Sequence, residues 1–224
     1  MKDHMDANPD LPWSRVAAFI RQHTHDVRNH LNSLELESSL MTDLISDPEA
    51  AECLGRIRSQ IRTLATNLRA LSGKFQEPKV ATAPIAASDV FEIWKEQWSA
   101  LPDRPQMEWK NDLGNQMLEV DAASIASVFT ELLTNAKIFG TGETLVALAR
   151  ADKSNVIFEL REPKREALDP TGWGTTPLSS TRRHGYGLGL WEVERAVRAN
   201  HGQINRCYSP EDRCLSTTLS FSLN

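Results

Sequence analysis

Between Pro12 and about Asp47 no proline or glycine interrupts the chain, and Val16, Ile20, Val27, Leu31, Leu34, Met41 and Ile45 recur at steps of three, four or seven. That spacing predicts one long amphipathic helix, which at ~1.5 Å per residue reaches on the order of 50 Å. Ser46-Asp47-Pro48-Glu49 then reads as a stop and a restart, with a capping acid, a proline at the first helical position and an acid in the first turn. In the second helix Leu54, Ile57, Ile61, Leu64, Leu68 and Leu71 alternate steps of three and four without a miss. Such a seam asks for burial, roughly 1.5–3 kcal/mol per fully covered side chain. A lone hairpin cannot cover both stripes. Two hairpins from two chains, joined in a dimeric four-helix bundle, can.

The period is lost from Gly73 to Ala87 (GKFQEPKVATAPIAA), which reads as a linker. After it the pattern is mixed. Helices are expected over Asp89–Ser99, from the Asp121 cap to Phe139, and over Tyr186–Asn200. Strands are expected at Gln106–Lys110, Gln116–Val120, Glu143–Ala151, Asn155–Arg161, Gln203–Tyr208 and Leu215–Leu223. Helices over a largely antiparallel sheet make an α+β, two-layer sandwich. The expected organisation is therefore a tail (residues 1–11), a helical hairpin (12–73), a linker (74–87) and a second domain (88–224).

Composition narrows the function. The 224 residues are 40% hydrophobic, enough for a core, and the net charge of −5 disfavours a broad nucleic-acid surface. No apolar run approaches the ~18 residues that a membrane span needs. The N-terminal MKDHMDANPDLPW lacks the basic and apolar regions of a signal peptide, so a cytoplasmic protein is expected. Cys53, Cys207 and Cys214 form no CxxC motif; the last two are expected to be reduced core thiols near one hairpin.

Chemistry concentrates in three places. His23 to Ser33 (HTHDVRNHLNS) carries three histidines, with Val27 and Leu31 marking the inward stripe and His25 left outward beside Asp26. A neutral imidazole is a good nucleophile near neutral pH, and a neighbouring carboxylate raises its basicity. His23 continues the apolar stripe and reads as packed or interfacial. A zinc site made from the three histidines has no cysteine or carboxylate cluster to complete it. Further on, Glu131 and Asn135 lie one turn apart on a helix, either as a solvated pair or as an oxygen pair able to order Mg²⁺ and water. Finally, Gly185, Gly187 and Gly189 alternate just before a helix, where exposed amides and close backbone approach suit a phosphate.

Together these segments carry a resemblance. HDVRNHLN (His25 to Asn32) resembles the phosphoacceptor box of sensor histidine kinases of two-component systems. ELLTNAKIFG (Glu131 to Gly140) resembles their N box, and GYGLGL (Gly185 to Leu190) their second glycine box, in the family's order. The resemblance spans about residues 12 to 224. It implies a dimerisation and phosphotransfer hairpin followed by an ATPase-like domain of the kind shared with gyrase and Hsp90. It makes His25 the phosphoacceptor and Asp26 its activating acid. Asn29 falls where the family orients water or acceptor in dephosphorylation. His30 stands where many relatives carry proline, so this helix is expected to run straighter.

The chain also departs from the family. The first glycine box, Asp-x-Gly-x-Gly, has Arg161-Glu162-Pro163-Lys164-Arg165 in its place, with Glu162 at the adenine-reading acid and both glycines gone. The basic residue expected three positions after Asn135 is Ile138, and the lid from Glu162 to Gly185 is short. A lost adenine hydrogen bond costs about 1–3 kcal/mol and a lost phosphate-facing cation ~1–4 kcal/mol. The expectation is a homodimeric histidine phosphotransferase that exchanges phosphoryl groups with response-regulator receiver domains and needs no cofactor. Its stimulus is expected to arrive through a partner, and neither nucleic acid nor membrane is expected as one. The alternative is a soluble autokinase using ATP and Mg²⁺, with Glu131 as base and Asn135 holding the metal; a further one is a non-catalytic dimer that sequesters a response regulator.

Overall fold

In the computed structural model, described for residues 13–175, 177 and 187–223, the chain divides into two compact units, residues 1–77 and 78–224. The first is a hairpin of α1 (Trp13–Leu44) and α2 (Pro48–Lys74). Asp47 caps α2 by accepting from the Glu49 amide, and Pro48 sits at the first helical position. This turn chemistry is what the sequence predicts.

The contact between the two helices uses a seven-residue repeat of mostly small side chains. Among the described side chains, Ala17, Thr24, Leu31 and Ser38 are the buried residues of α1, and Leu54 is that of α2. The two hydroxyls are satisfied within their own helix, Thr24 Oγ1 donating to the Ile20 carbonyl at 2.6 Å and Ser38 Oγ to that of Glu35 at 2.9 Å, so burying them costs little. A second stripe on α1 (His23, Val27, His30, Leu34, Glu37, Met41 and Leu44) keeps a coiled-coil step of four and three. Within one chain it is open: Leu34, Met41 and Leu44 are 49%, 50% and 81% exposed, and Ile57 and Leu64 of α2 are about half exposed.

The second unit contains β1 (Ala83–Ala86), α3 (Ala87–Ala100), β2 (Met107–Asp112), β3 (Met117–Val120), α4 (Ala122–Phe139), β4 (Leu145–Ala151), β5 (Asn155–Pro163), α5 (Gly189–Ala199), β6 (Gly202–Ser209) and β7 (Cys214–Ser222). Five strands form a mixed sheet in the order β2-β4-β5-β7-β6, parallel only between β2 and β4. The buried, alternating face of β4, β5 and β7 joins the apolar faces of α3, α4 and α5 in one core. At its centre Trp94 stacks on Phe129 (5.0 Å between ring centroids) and meets Phe158 edge-on. This is the expected two-layer α+β sandwich.

The structure corrects the sequence reading in places. The segment read as a linker holds β1, which pairs antiparallel with β3 so that Ile85 faces Leu118. Proline is tolerated in this two-stranded edge, and the Pro/Ala composition hides the strand. Cys207 pairs with Ser216 and Cys214 with Ser209, so the two thiols are offset along the hairpin, and Cys207 is exposed rather than in the core. The last helix begins at Gly189 and not at position 186, which lies outside the described residues.

Candidate functional site

On α1 the side chain of His25 is 55% exposed and that of Asp26 is 52% exposed. The ring Nδ1 lies 3.4 Å from Asp26 Oδ1 and 3.4 Å from the side-chain nitrogen of Asn29, one turn on. These three residues, singled out in the sequence, therefore meet at one point on an open helix face. Both polar contacts of the ring fall on Nδ1, which leaves Nε2 for an incoming electrophile. The sequence reading missed Gln22, whose amide donates to Asp26 Oδ1 at 3.0 Å; the i, i+4 spacing is its signal. His23 stands apart, stacked on Phe19 at 5.8 Å. Three arginines of α2 are engaged within the hairpin: Arg62 pairs with Glu35 at 2.8 Å, Arg56 with Glu52 at 2.6 Å, and Arg58 donates to Thr42.

In the second unit α4 starts at the Asp121 cap, whose carboxylate accepts from the Ser124 and Ala81 amides; these bonds hold its pKa below the usual value. Buried Asn200 at the end of α5 accepts from the Asp121 amide at 2.7 Å and donates to Ser124, tying the two helices together. That tie brings the start of α5 against the middle of α4. Asn135 donates to Glu131 Oε1 at 3.0 Å, and a Cβ placed on Gly189 would collide with the Glu131 carboxylate. Glu131, Asn135 and Gly189 are thus in one place, with the Glu131 carboxylate lying where a Cβ on Gly189 would be. Gly187 adopts a left-handed φ of 62°, suited to glycine; Gly185 lies outside the described residues.

The divergent segment, whose first three residues form the end of β5, is folded in on itself. Glu162 shares the helix-facing side of the sheet with Leu160, and only 6% of it is exposed. Its carboxylate takes the Lys164 ammonium at 2.8 Å, and both side chains are 9% exposed. Lys164 also donates to the Phe139 carbonyl, and Arg165 to that of Thr141, so both bases are stapled to the end of α4 and the loop after it. Burial raises the pKa of Glu162, against the pull of Lys164 and Arg206.

Arg206, on β6, is a second residue that the sequence reading missed. Its side chain is 6% exposed, lies 3.7 Å from Glu194 of α5 and donates to the Trp173 carbonyl at 2.9 Å. The neighbouring Gly174 packs on the first turn of α5, where a Cβ would meet the Leu190 carbonyl oxygen at 2.7 Å. Lys137, the base beside Ile138, donates to the Pro102 carbonyl, while Ile138 is 49% exposed. Glu162 is thus paired with Lys164, while Arg206 is held by Glu194 and the Trp173 carbonyl.

No protein-family model matches the chain, and no curated protein does. Solved structures do. It is similar to the histidine kinase AdeS of Acinetobacter baumannii (18% identity, 90% of this chain and 98% of that one, TM-score 0.53). Full-length ShkA, solved in complex with AMPPNP, matches over 93% of this chain and 46% of its own (15% identity, TM-score 0.64). The mycobacterial sensor histidine kinase MprB matches over 64% of this chain and 99% of its own (14% identity, TM-score 0.53). The chain has the fold of a sensor histidine kinase core, a helical hairpin plus an ATPase-like domain. Among the described residues no helix is long and apolar enough to cross a membrane.

Proposed function

We propose that this protein is a homodimeric phosphoryl carrier of a two-component phosphorelay. His25 takes a phosphoryl group from the aspartyl phosphate of a response-regulator receiver domain and delivers it to another, without using ATP. The observation that carries the reading is the buried Glu162–Lys164 pair. Glu162 stands where the related kinases keep the acid that reads adenine. An acid already neutralised at 2.8 Å by its own chain has little to offer an incoming amino group. Displacing Lys164 would leave a buried charge unpaired, which costs about 3–5 kcal/mol.

The phosphoacceptor side supports the same reading. His25 is open to a partner the size of a domain, and Asp26 and Asn29 flank its Nδ1. The open α1 stripe with Ile57 and Leu64 supplies the surface for a second copy. Receiver domains enter as partners through the likeness to histidine kinases.

The autokinase reading draws on one specific feature, the Glu131–Asn135 pair against Gly189. Asn135 Oδ1 with waters would suit Mg²⁺, and Glu131 would act as the base, if a nucleotide bound there. Incubation with labelled ATP and Mg²⁺, and separately with a phosphorylated receiver domain, separates the readings. Label from the receiver alone supports the carrier. Label from ATP replaces it with an autokinase, and label from neither replaces it with a sequestering dimer.

A further inference from the structure

We infer that Gln22 is a positioning residue for phosphoryl transfer, acting through Asp26 to set the tautomer of His25. The inference rests on the phosphoryl-carrier reading and goes one residue beyond it. Nδ1 of His25 has two rival partners at the same 3.4 Å: the carboxylate of Asp26 and the side-chain amide nitrogen of Asn29. A neutral imidazole has one proton to place. Facing Asp26, Nδ1 carries the proton and donates, and Nε2 keeps its lone pair. Facing Asn29, Nδ1 accepts, the proton sits on Nε2, and that nitrogen is no nucleophile. At 3.4 Å neither contact is closed, since a settled N–H···O bond is nearer ~2.9 Å. The ring is therefore held between two states.

Gln22 biases that balance. Its amide donates to Asp26 Oδ1 at 3.0 Å, and this is the same oxygen that faces the ring. The bond holds an exposed, otherwise rotatable carboxylate against Nδ1. A charged acceptor held in place outcompetes a neutral donor. The chemical step then balances without moving a proton. The Nε2 lone pair forms the N–P bond, the P–O bond to the donor aspartate breaks, and its electron pair leaves with that carboxylate. The product ring keeps its Nδ1 proton and gains positive charge, which Asp26 faces. On return transfer an acceptor carboxylate attacks phosphorus and the N–P electron pair goes back to Nε2.

The test uses the full chain with nitrogen-15 labelled histidine. Gln22→Met keeps the length of the side chain and its helix propensity but loses the donor; Gln22→Lys restores one. Long-range nitrogen–proton spectra give the ratio of the Nδ1–H to the Nε2–H form of His25, and a phosphorylated receiver gives the rate of uptake. The expected result is a fall of roughly 1.4- to 2.3-fold in both ratio and rate for Gln22→Met, with both recovered in Gln22→Lys. A wild-type chain that takes up no phosphoryl group sinks the carrier reading and this inference with it. A wild-type chain that labels, while Gln22→Met keeps its ratio or its rate, sinks the inference alone.

Discussion

Lys164→Met removes the ammonium from the buried pair and leaves the methylene stem in place. Glu162, 6% exposed, then keeps a carboxylate that, among the described residues, feels only the field of Arg206. Breaking a buried pair from one side costs about 3–5 kcal/mol, and the residual pull of Arg206 puts this case near the lower end. About 3 kcal/mol moves a urea midpoint by roughly 1–2 M. Five of the six tryptophans lie beyond residue 77, so tryptophan fluorescence reads mainly the second unit. The pH dependence has a definite sign. Burial already raises the folded pKa of Glu162 above its unfolded value. Without Lys164 it rises further. The folded variant then holds a proton that the unfolded chain releases, so the loss is full at high pH and fades as pH falls through the raised value. Replacing both partners, Glu162→Leu with Lys164→Met, should lie within about 1 kcal/mol of wild type. A single variant as stable as wild type at pH 8, or one whose deficit does not shrink in acid, would refute the buried-pair argument.

Ile57→Glu with Leu64→Glu tests the dimer. Each side chain is about half exposed in the single chain, so covering the rest is worth about 1 kcal/mol, or about 4 kcal/mol over the four copies. Sedimentation should show association weakened by about a thousandfold with helicity kept; a variant that still sediments as a dimer at micromolar concentration removes the assigned face. Gly189→Ala should push the Glu131 carboxylate off its 3.0 Å bond with Asn135, because the new Cβ takes its position. The Asn135 side-chain amide resonances should shift, at a stability cost under about 3 kcal/mol; unshifted resonances would mean that α5 does not approach α4 this closely.

Much of this was legible from spacing. The two helices of the hairpin, the Asp47 and Asp121 caps and the alternating strands of the sheet follow from local rules that tertiary packing did not override. The hairpin seam did not. Its buried positions include Ala17, Thr24 and Ser38, because helices in close contact select small side chains, while Leu34, Met41 and Leu64 stay open in one chain. A scan for large apolar residues therefore reads the outer stripe rather than the inner one. Strand β1 escaped because Ala-Pro-Ile-Ala carries little alternation. Around Glu162 the chain position was legible and the chemistry was not. Lys164 falls within the replaced glycine box, and it turns inward to pair with the acid two residues earlier. Arg206 comes from a strand more than forty residues away, and only the sheet register brings it there.

The measurement that bears most directly on the carrier reading is the site of phosphoryl uptake from a phosphorylated receiver domain. Wild type, His25→Ala and His30→Ala are mixed with the labelled receiver, and acid-labile phosphate on the chain is followed with time. His25 faces outward beside Asp26, whereas His30 falls on the open apolar stripe assigned to the second copy. The account predicts that His25→Ala takes up no label while its dimer and helicity persist, and that His30→Ala retains labelling. Labelling of His25→Ala at the wild-type rate would contradict it.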